Sequence, residues 1–443
     1  MPRIRVVFLA SAMVLTALSG AATADNLMEV YQRAAENDPQ LRQAEAAYQA
    51  VAQTKGQARA RLLPQLAATA SLSRERQEIE NSDSPLFQPG TFNSTTKSYS
   101  LSLNQAVYRR DYWVNLRQAD AAIGQALANY DAEWQNLLVR SADLYFKVLA
   151  AADDLEFARA EKNANQRLLE QTKQRFEVGL IAITDVHESQ AAHDLAAARE
   201  IAAETRLAIS KEELREMTGY SPQSLATLQE TIPLLTPDPV DMQVWLESAG
   251  KQNLQLIAAQ FAVDAAREET EQRRAGHYPT LDAVASYGYN DVGAGRFGGS
   301  ESYDSSIGLQ LRLPLYEGGG TVARIREGQY RLIQSQEALE QQRRAIDRQT
   351  RSAYLSVLDN INSVNALKQA RISSESALQA TEAGYDVGTR TTVDVVQSRR
   401  NLFDAQRNYA RVRYDYILST LRLRQAAGLL EPKDLEEINH WLN

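Results

Sequence analysis

The side chains best suited to acid–base or metal chemistry are four histidines, at positions 187, 193, 277 and 440. His187 and His193 are six apart, which turns them to different faces of a helix, and no His-Glu-x-x-His pattern accompanies them. Gly318-Gly319-Gly320 is followed by Thr and Val, with no lysine to reach a phosphate, so it reads as a flexible turn. Asp153 and Asp154 are neighbours on a helix, do not face each other, and read as solvated. No serine sits in a nucleophile elbow, and cysteine is absent, which excludes disulfides and thiolate sites. The expectation is a non-enzymatic protein with no metal or cofactor.

Two polar turns are richer. Gly384-Tyr385-Asp386-Val387-Gly388-Thr389-Arg390-Thr391-Thr392-Val393-Asp394 separates two long Ala/Gln/Arg-rich segments. A near copy is Arg175-Phe176-Glu177-Val178-Gly179-Leu180-Ile181-Ala182-Ile183-Thr184-Asp185. Gly179 and Gly388 permit the left-handed residue that ends a helix. Thr391 or Thr392, and Thr184, can cap the next helix, with Asp185 and Asp394 favouring its positive start. Each turn is expected at the tip of a long helical hairpin.

The elements that carry these tips follow from periodicity. Segments 109–178 and 320–383 lack proline and hold glycine only at Gly124, Gly320 and Gly328. At ~1.5 Å per residue such a helix is on the order of 100 Å long. Between the helical stretches, four runs change to a two-residue period. Leu66, Ala68, Ala70 and Leu72 alternate with small polar residues, as do Tyr99, Leu101 and Leu103, then Leu281, Ala283, Ala285, Tyr287 and Tyr289, then Ile307, Leu309, Leu311 and Leu313. Residues 82–96 and 292–303 read as polar loops joining these strands.

The chain is duplicated. Pro64 and Pro279 are 215 positions apart and Tyr108 and Tyr316 are 208 apart, while Tyr145, Gly179, Asp185 and Gly219 each have a counterpart 209 positions on, at Tyr354, Gly388, Asp394 and Gly428. The expected divisions are a signal peptide at 1–24, a helix at 25–63, strands at 64–108, long helices at 109–218 and a linker at 219–240. The second copy gives a helix at 241–278, strands at 279–316 and long helices at 317–428, with a C-terminal segment at 429–443.

Basic Arg3 and Arg5, an apolar run to about Leu18 and the small-x-small Ala22-Thr23-Ala24 mark the export signal. Its removal takes the formal charge from −8 to −10, an acidic balance that argues against nucleic acid as a partner. Exported amphipathic strands of this kind match an outer-membrane barrel. Four strands cannot close alone; two copies supply eight and three supply twelve. Inward-facing Ser, Asn, Gln, Asp282 and Arg312 suit a watery lumen and so favour three. The competing expectation is a soluble periplasmic helical scaffold or adaptor.

Asn26-Leu27-Met28-Glu29-Val30-Tyr31-Gln32, Leu62-Leu63-Pro64-Gln65-Leu66 and both tip motifs resemble the TolC family of outer-membrane export ducts, over about 26–438. The resemblance implies an α+β membrane protein: a homotrimer with a twelve-strand β-barrel continued by a twelve-helix α-barrel tunnel. It implies passive conduction of drugs, small molecules or secreted proteins, in partnership with a periplasmic adaptor and an ABC, RND or MFS-type inner-membrane transporter. The missing lipidation cysteine fits the unlipidated branch. The resemblance further assigns Thr184, Asp185, Tyr385 and Arg390 to a periplasmic gate and Asp394 to an acidic pore ring. It assigns Val178, Gly179, Leu180, Val387, Gly388 and Thr389 to adaptor-binding tips. One departure stands out, Gln397, where a second acidic residue is expected.

Overall fold

The computed structural model describes residues 24–443 apart from 82, 84–88, 223, 296 and 297; the expected signal peptide lies outside the described residues. The chain begins with two short helices, α1 (Leu27–Asn37) and α2 (Pro39–Ala60), split at Asp38. Pro39 has no N–H to donate, and both carboxylate oxygens of Asp38 cap the restart by accepting from the Gln40 and Leu41 N–H groups. The second copy has the same break without a proline. Its α5 (Met242–Gln252) and α6 (Leu254–Arg274) divide at Asn253, whose side chain caps Gln255 and Leu256.

Each pair leads into a hairpin of strands. β1 (Gln65–Ile79) pairs with β2 (Gly90–Tyr108), β2 with β3 (Thr280–Gly295) and β3 with β4 (Gly298–Arg312), all antiparallel, in sheet order 1-2-3-4. The strands run 15 to 19 residues, longer than the alternating runs that announce them. Residues 90–96, 292–295 and 298–303, expected as loop, continue the ladder. Past Tyr99 and Tyr289 the apolar face turns polar, with Lys97, Thr95, Asn93 and Asp291 in its positions, which erases the sequence alternation while leaving the backbone pairing intact. A register shift between Ala106 and Tyr108 brings Tyr108 opposite Leu281, on the apolar face.

The long helices are α3 (Arg110–Glu177, 68 residues) and α7 (Gly320–Asp386, 67 residues), each returning as a shorter helix, α4 (Ile183–Thr218) and α8 (Thr392–Ala426). At ~1.5 Å rise per residue, α3 and α7 are ~100 Å long. α9 (Pro432–Asn439) closes the chain.

The main core forms a belt partway along the helices. Leu27, Leu137, Tyr145, Phe146, Leu214, Tyr354, Tyr416, Ile417, Leu421 and Leu435 are buried together there. The irregular linker wraps this belt through single β-bridges, Asp25 to Leu225 and Leu228 to Leu442. The duplicated tyrosines hold it: Tyr145 Oη donates to Ala226 O at 2.6 Å, and Tyr354 Oη donates to Val240 O. Asp153, expected to be solvated, instead accepts a hydrogen bond from Tyr414 Oη at 2.7 Å, and burial pushes its carboxyl above the usual range.

Candidate gate at the hairpin tips

Both tips are built alike. α3 ends through Gly179 (φ 75°), with Leu180 N–H reaching back to Arg175 O at 2.9 Å; α7 ends through Gly388 (φ 79°), with Thr389 N–H reaching Gly384 O at 2.8 Å. These six-to-one bonds satisfy carbonyls that a helix end leaves open, and the positive φ explains glycine at both places. The turns expose apolar side chains: Val178, Leu180 and Val387 are 70%, 73% and 76% exposed.

The helices that restart after the turns are capped differently. Thr391 is the N-cap of α8, and its partner is Asp394. The Asp394 carboxylate accepts from Thr391 N–H at 2.9 Å and Thr391 Oγ–H at 3.0 Å. The backbone bond first, then the hydroxyl bond and the nearby Arg390 charge, hold that carboxyl below its usual range. At the other tip Ala182 occupies the cap position, with no side-chain bond. Thr184 therefore lies inside α4 and is not its cap, because the cap falls two residues earlier, at Ala182, and the helix begins at Ile183.

Tyr385 is only 6% exposed and packs against Leu168 and Val395, while its buried hydroxyl has no partner among the described residues. Arg390 is exposed and Asp185 is half-buried; among the described residues neither side chain makes an ion pair. Within one chain, then, Tyr385 and Arg390 are not bonded to Thr184 or Asp185. Gln397 donates to Asn401 Oδ1 at 2.8 Å, leaving Asp394 as the acidic group on this first part of α8.

Two residues that sequence reasoning passed over contact the tip. The Arg175 guanidinium lies 4.6 Å from the centre of the Tyr385 ring, and its Nη2 donates to Asp386 Oδ1 at 3.0 Å. Both were inside the tip motifs, but 211 positions separate them in sequence and no local pattern pairs them.

The arrangement offers charged and aromatic groups around a turn, with unmet hydrogen-bonding capacity at the Tyr385 hydroxyl. Comparison with known proteins agrees with a transport role. The family model described as outer membrane efflux protein matches residues 30–220 and 245–429, one block in each half of the duplication. The chain is 41% identical over 435 residues to the outer membrane protein TolC of Vibrio cholerae, covering 97% of this chain and 96% of that relative. It is 30% identical over 416 residues to the alkaline protease secretion protein AprF of Pseudomonas aeruginosa, covering 93% and 86%. Among solved structures, the Campylobacter jejuni CmeC outer membrane channel superposes with a TM-score of 0.76 at 16% identity, covering 100% of this chain and 98% of that one, which speaks to the fold.

Proposed function

The chain belongs to the outer membrane efflux protein family, and from that premise we propose that three copies close a twelve-strand barrel whose helices continue as a gated periplasmic tunnel. It is an outer-membrane channel for efflux or secretion, a transport protein and not an enzyme. The family assignment sets aside the soluble-scaffold reading.

The sheet carries the argument. Its outward residues Leu72, Leu101, Ile307, Leu309 and Leu311 are exposed, as lipid contact requires. At one end of this band Tyr99, Tyr289 and Tyr303 form a contiguous row, with ring centres 6.1 and 5.0 Å apart. At the other end stand Tyr108, Tyr278 and Tyr316. Nine residues separate Tyr99 from Tyr108, ~30 Å along a strand at ~3.4 Å each. Tilted by ~40°, as barrel strands are, that spans ~23 Å, close to the ~25 Å apolar band between aromatic girdles. Among the described residues no helix is long and apolar enough to cross a membrane. The sheet is the element that fits the bilayer.

With three copies around one axis, the open valences at the tips gain partners. Arg390 and Tyr385 bond Asp185 and Thr184 of neighbouring hairpins and draw the tunnel end closed. Charge-assisted bonds shielded from water contribute ~1.5–3 kcal/mol each. An adaptor that binds the open form better can supply the opposing energy. Exposed Val178, Leu180 and Val387, with Gly179, Gly388 and Thr389 shaping the turns, offer that adaptor an apolar contact. Asp394 contributes one carboxylate per copy to a ring that favours cations. The inner-membrane partner is an ABC, RND or MFS-type transporter, which sets the cargo. AprF, named for alkaline protease secretion, supports protein export as one cargo class.

The test is conductance in planar bilayers. Tyr385→Phe with Arg390→Ser should raise single-channel conductance of the purified, detergent-extracted oligomer. Unchanged conductance would remove both residues from the gate.

A further inference from the structure

Side-chain ties join the α3–α4 hairpin to the α7–α8 hairpin along their length. Descending toward the tips they are Arg422 to Asp143 (2.9 Å), Tyr414 to Asp153 (2.7 Å), Arg407 to Glu161 (3.4 Å) and Arg399 to the Ala164 carbonyl (2.6 Å). Each of these links α3 to α8. The lowest tie differs: Arg175, in the last turn of α3, reaches Asp386, the final residue of α7. The same guanidinium covers the Tyr385 ring. Two forces act through one side chain, a charge-assisted hydrogen bond and a cation–π contact.

The surroundings show why such a tie matters. Tyr385 is held by Leu168 of α3 and Val395 of α8, so its ring sits where the two hairpins meet. Its hydroxyl is buried inside the protomer and without a partner there, so it is the ring, through its packing and the guanidinium on its face, that ties the two hairpins together. Asp386 fixes the guanidinium, and the guanidinium closes the face of the ring. A tunnel end that widens by sliding one hairpin past the other has to break both contacts.

We propose that Arg175 and Asp386 form a latch inside each protomer that locks the two hairpin tips together and positions Tyr385, favouring the closed gate. This rests on the channel and gate reading above. Neither residue is a pore-lining selectivity group in this scheme; both act through Tyr385 and through the relative placement of the tips. The pair is partly solvated, with side chains 26% and 63% exposed, so its loss should shift the closed-to-open balance by only about two- to five-fold per tip. Three tips in one oligomer multiply that factor.

The experiment uses the full-length oligomer in planar bilayers, with Arg175→Gln, Asp386→Asn and the two combined. Each single change should raise open probability or conductance, and the double should exceed the larger single by little, because both break one contact. Arg175→Lys keeps the charge but loses the planar stacking and should fall between wild type and Arg175→Gln. Raising salt from ~0.1 to ~1 M shortens the screening length from ~10 to ~3 Å, so wild type should move toward the single variants while Asp386→Asn responds less. Recovery of equal amounts of heat-modifiable oligomer checks that folding is intact. Wild-type behaviour in both singles, or strictly additive effects in the double, overturns the latch. Failure of the underlying reading looks different: wild type gives no channels at all, or Tyr385→Phe with Arg390→Ser leaves conductance unchanged.

Discussion

Glu161 provides the sharpest energetic test of how the helices are held above the tips. Its side chain, on α3, is only 4% exposed and bridges Arg199 of α4 at 2.7 Å and Arg407 of α8 at 3.4 Å. Glu161→Gln keeps the shape and removes the charge. Breaking a fully buried pair costs ~3–5 kcal/mol because the surviving charge is stranded. Here the two guanidiniums are 28% and 21% exposed and can recover part of their hydration. The expected loss is therefore smaller, about 2–3 kcal/mol per protomer, toward the value of a charge-assisted hydrogen bond. Glu204 is the control. It pairs with Arg159 at 2.7 Å, but both side chains are half exposed, so Glu204→Gln should leave stability unchanged within error. Guanidinium unfolding of the detergent-solubilised protein, followed by helical circular dichroism, reads the difference. If the two variants share a midpoint, burial does not govern these pairs and the reasoning fails.

Further outcomes are expected at Asp394, Gln397 and Gly124. Asp394→Asn should reduce cation preference measured by reversal potential, and Gln397→Glu should strengthen block by multivalent cations; Asn is preferred to Ala because it can still accept from Thr391 at the cap. Asp394 is held in its ionised form, so its contribution to selectivity and to the α8 cap is present above the ordinary value of 3.8 and is lost only as pH falls through its depressed folded value. Loss of selectivity above pH 3.8 would count against this. Gly124→Ala should destabilise by about 1–3 kcal/mol, since the new Cβ would stand 2.6 Å from the Phe261 ring where α3 packs on α6; an unchanged unfolding midpoint would show that Phe261 can yield.

The helical hairpins and the duplication were legible because they rest on local signals, absence of proline, a 3.6-residue period and glycine at two turns. Strand existence was legible for the same reason, but strand length was not. Beyond the tyrosine row the hairpins leave the apolar environment and no longer need to alternate, although their backbones still pair. The split at Asn253 also escaped, since asparagine caps a restart without the proline that announces it at Asp38–Pro39. At the tips, composition pointed to the right turns. Which partner each side chain takes was beyond reach, because Arg175 and Asp386 meet only after two ~100 Å hairpins align, and Thr184 lost the cap role to a two-residue difference in where α4 begins.

The sheet order leaves β1 and β4 with bare outer edges. In water those rows of N–H and C=O groups are hydrated; in hydrocarbon each would cost several kcal/mol, so a lone four-stranded sheet is barred from the bilayer by tens of kcal/mol. Copies must therefore meet edge to edge before or while they enter lipid, which makes copy number a decision taken at the membrane surface. It also makes the assembly unforgiving. A single subunit with a spoiled edge, carried to the membrane beside two sound ones, would idle all three, so defects in β1 or β4 should behave as dominant when expressed alongside the normal chain.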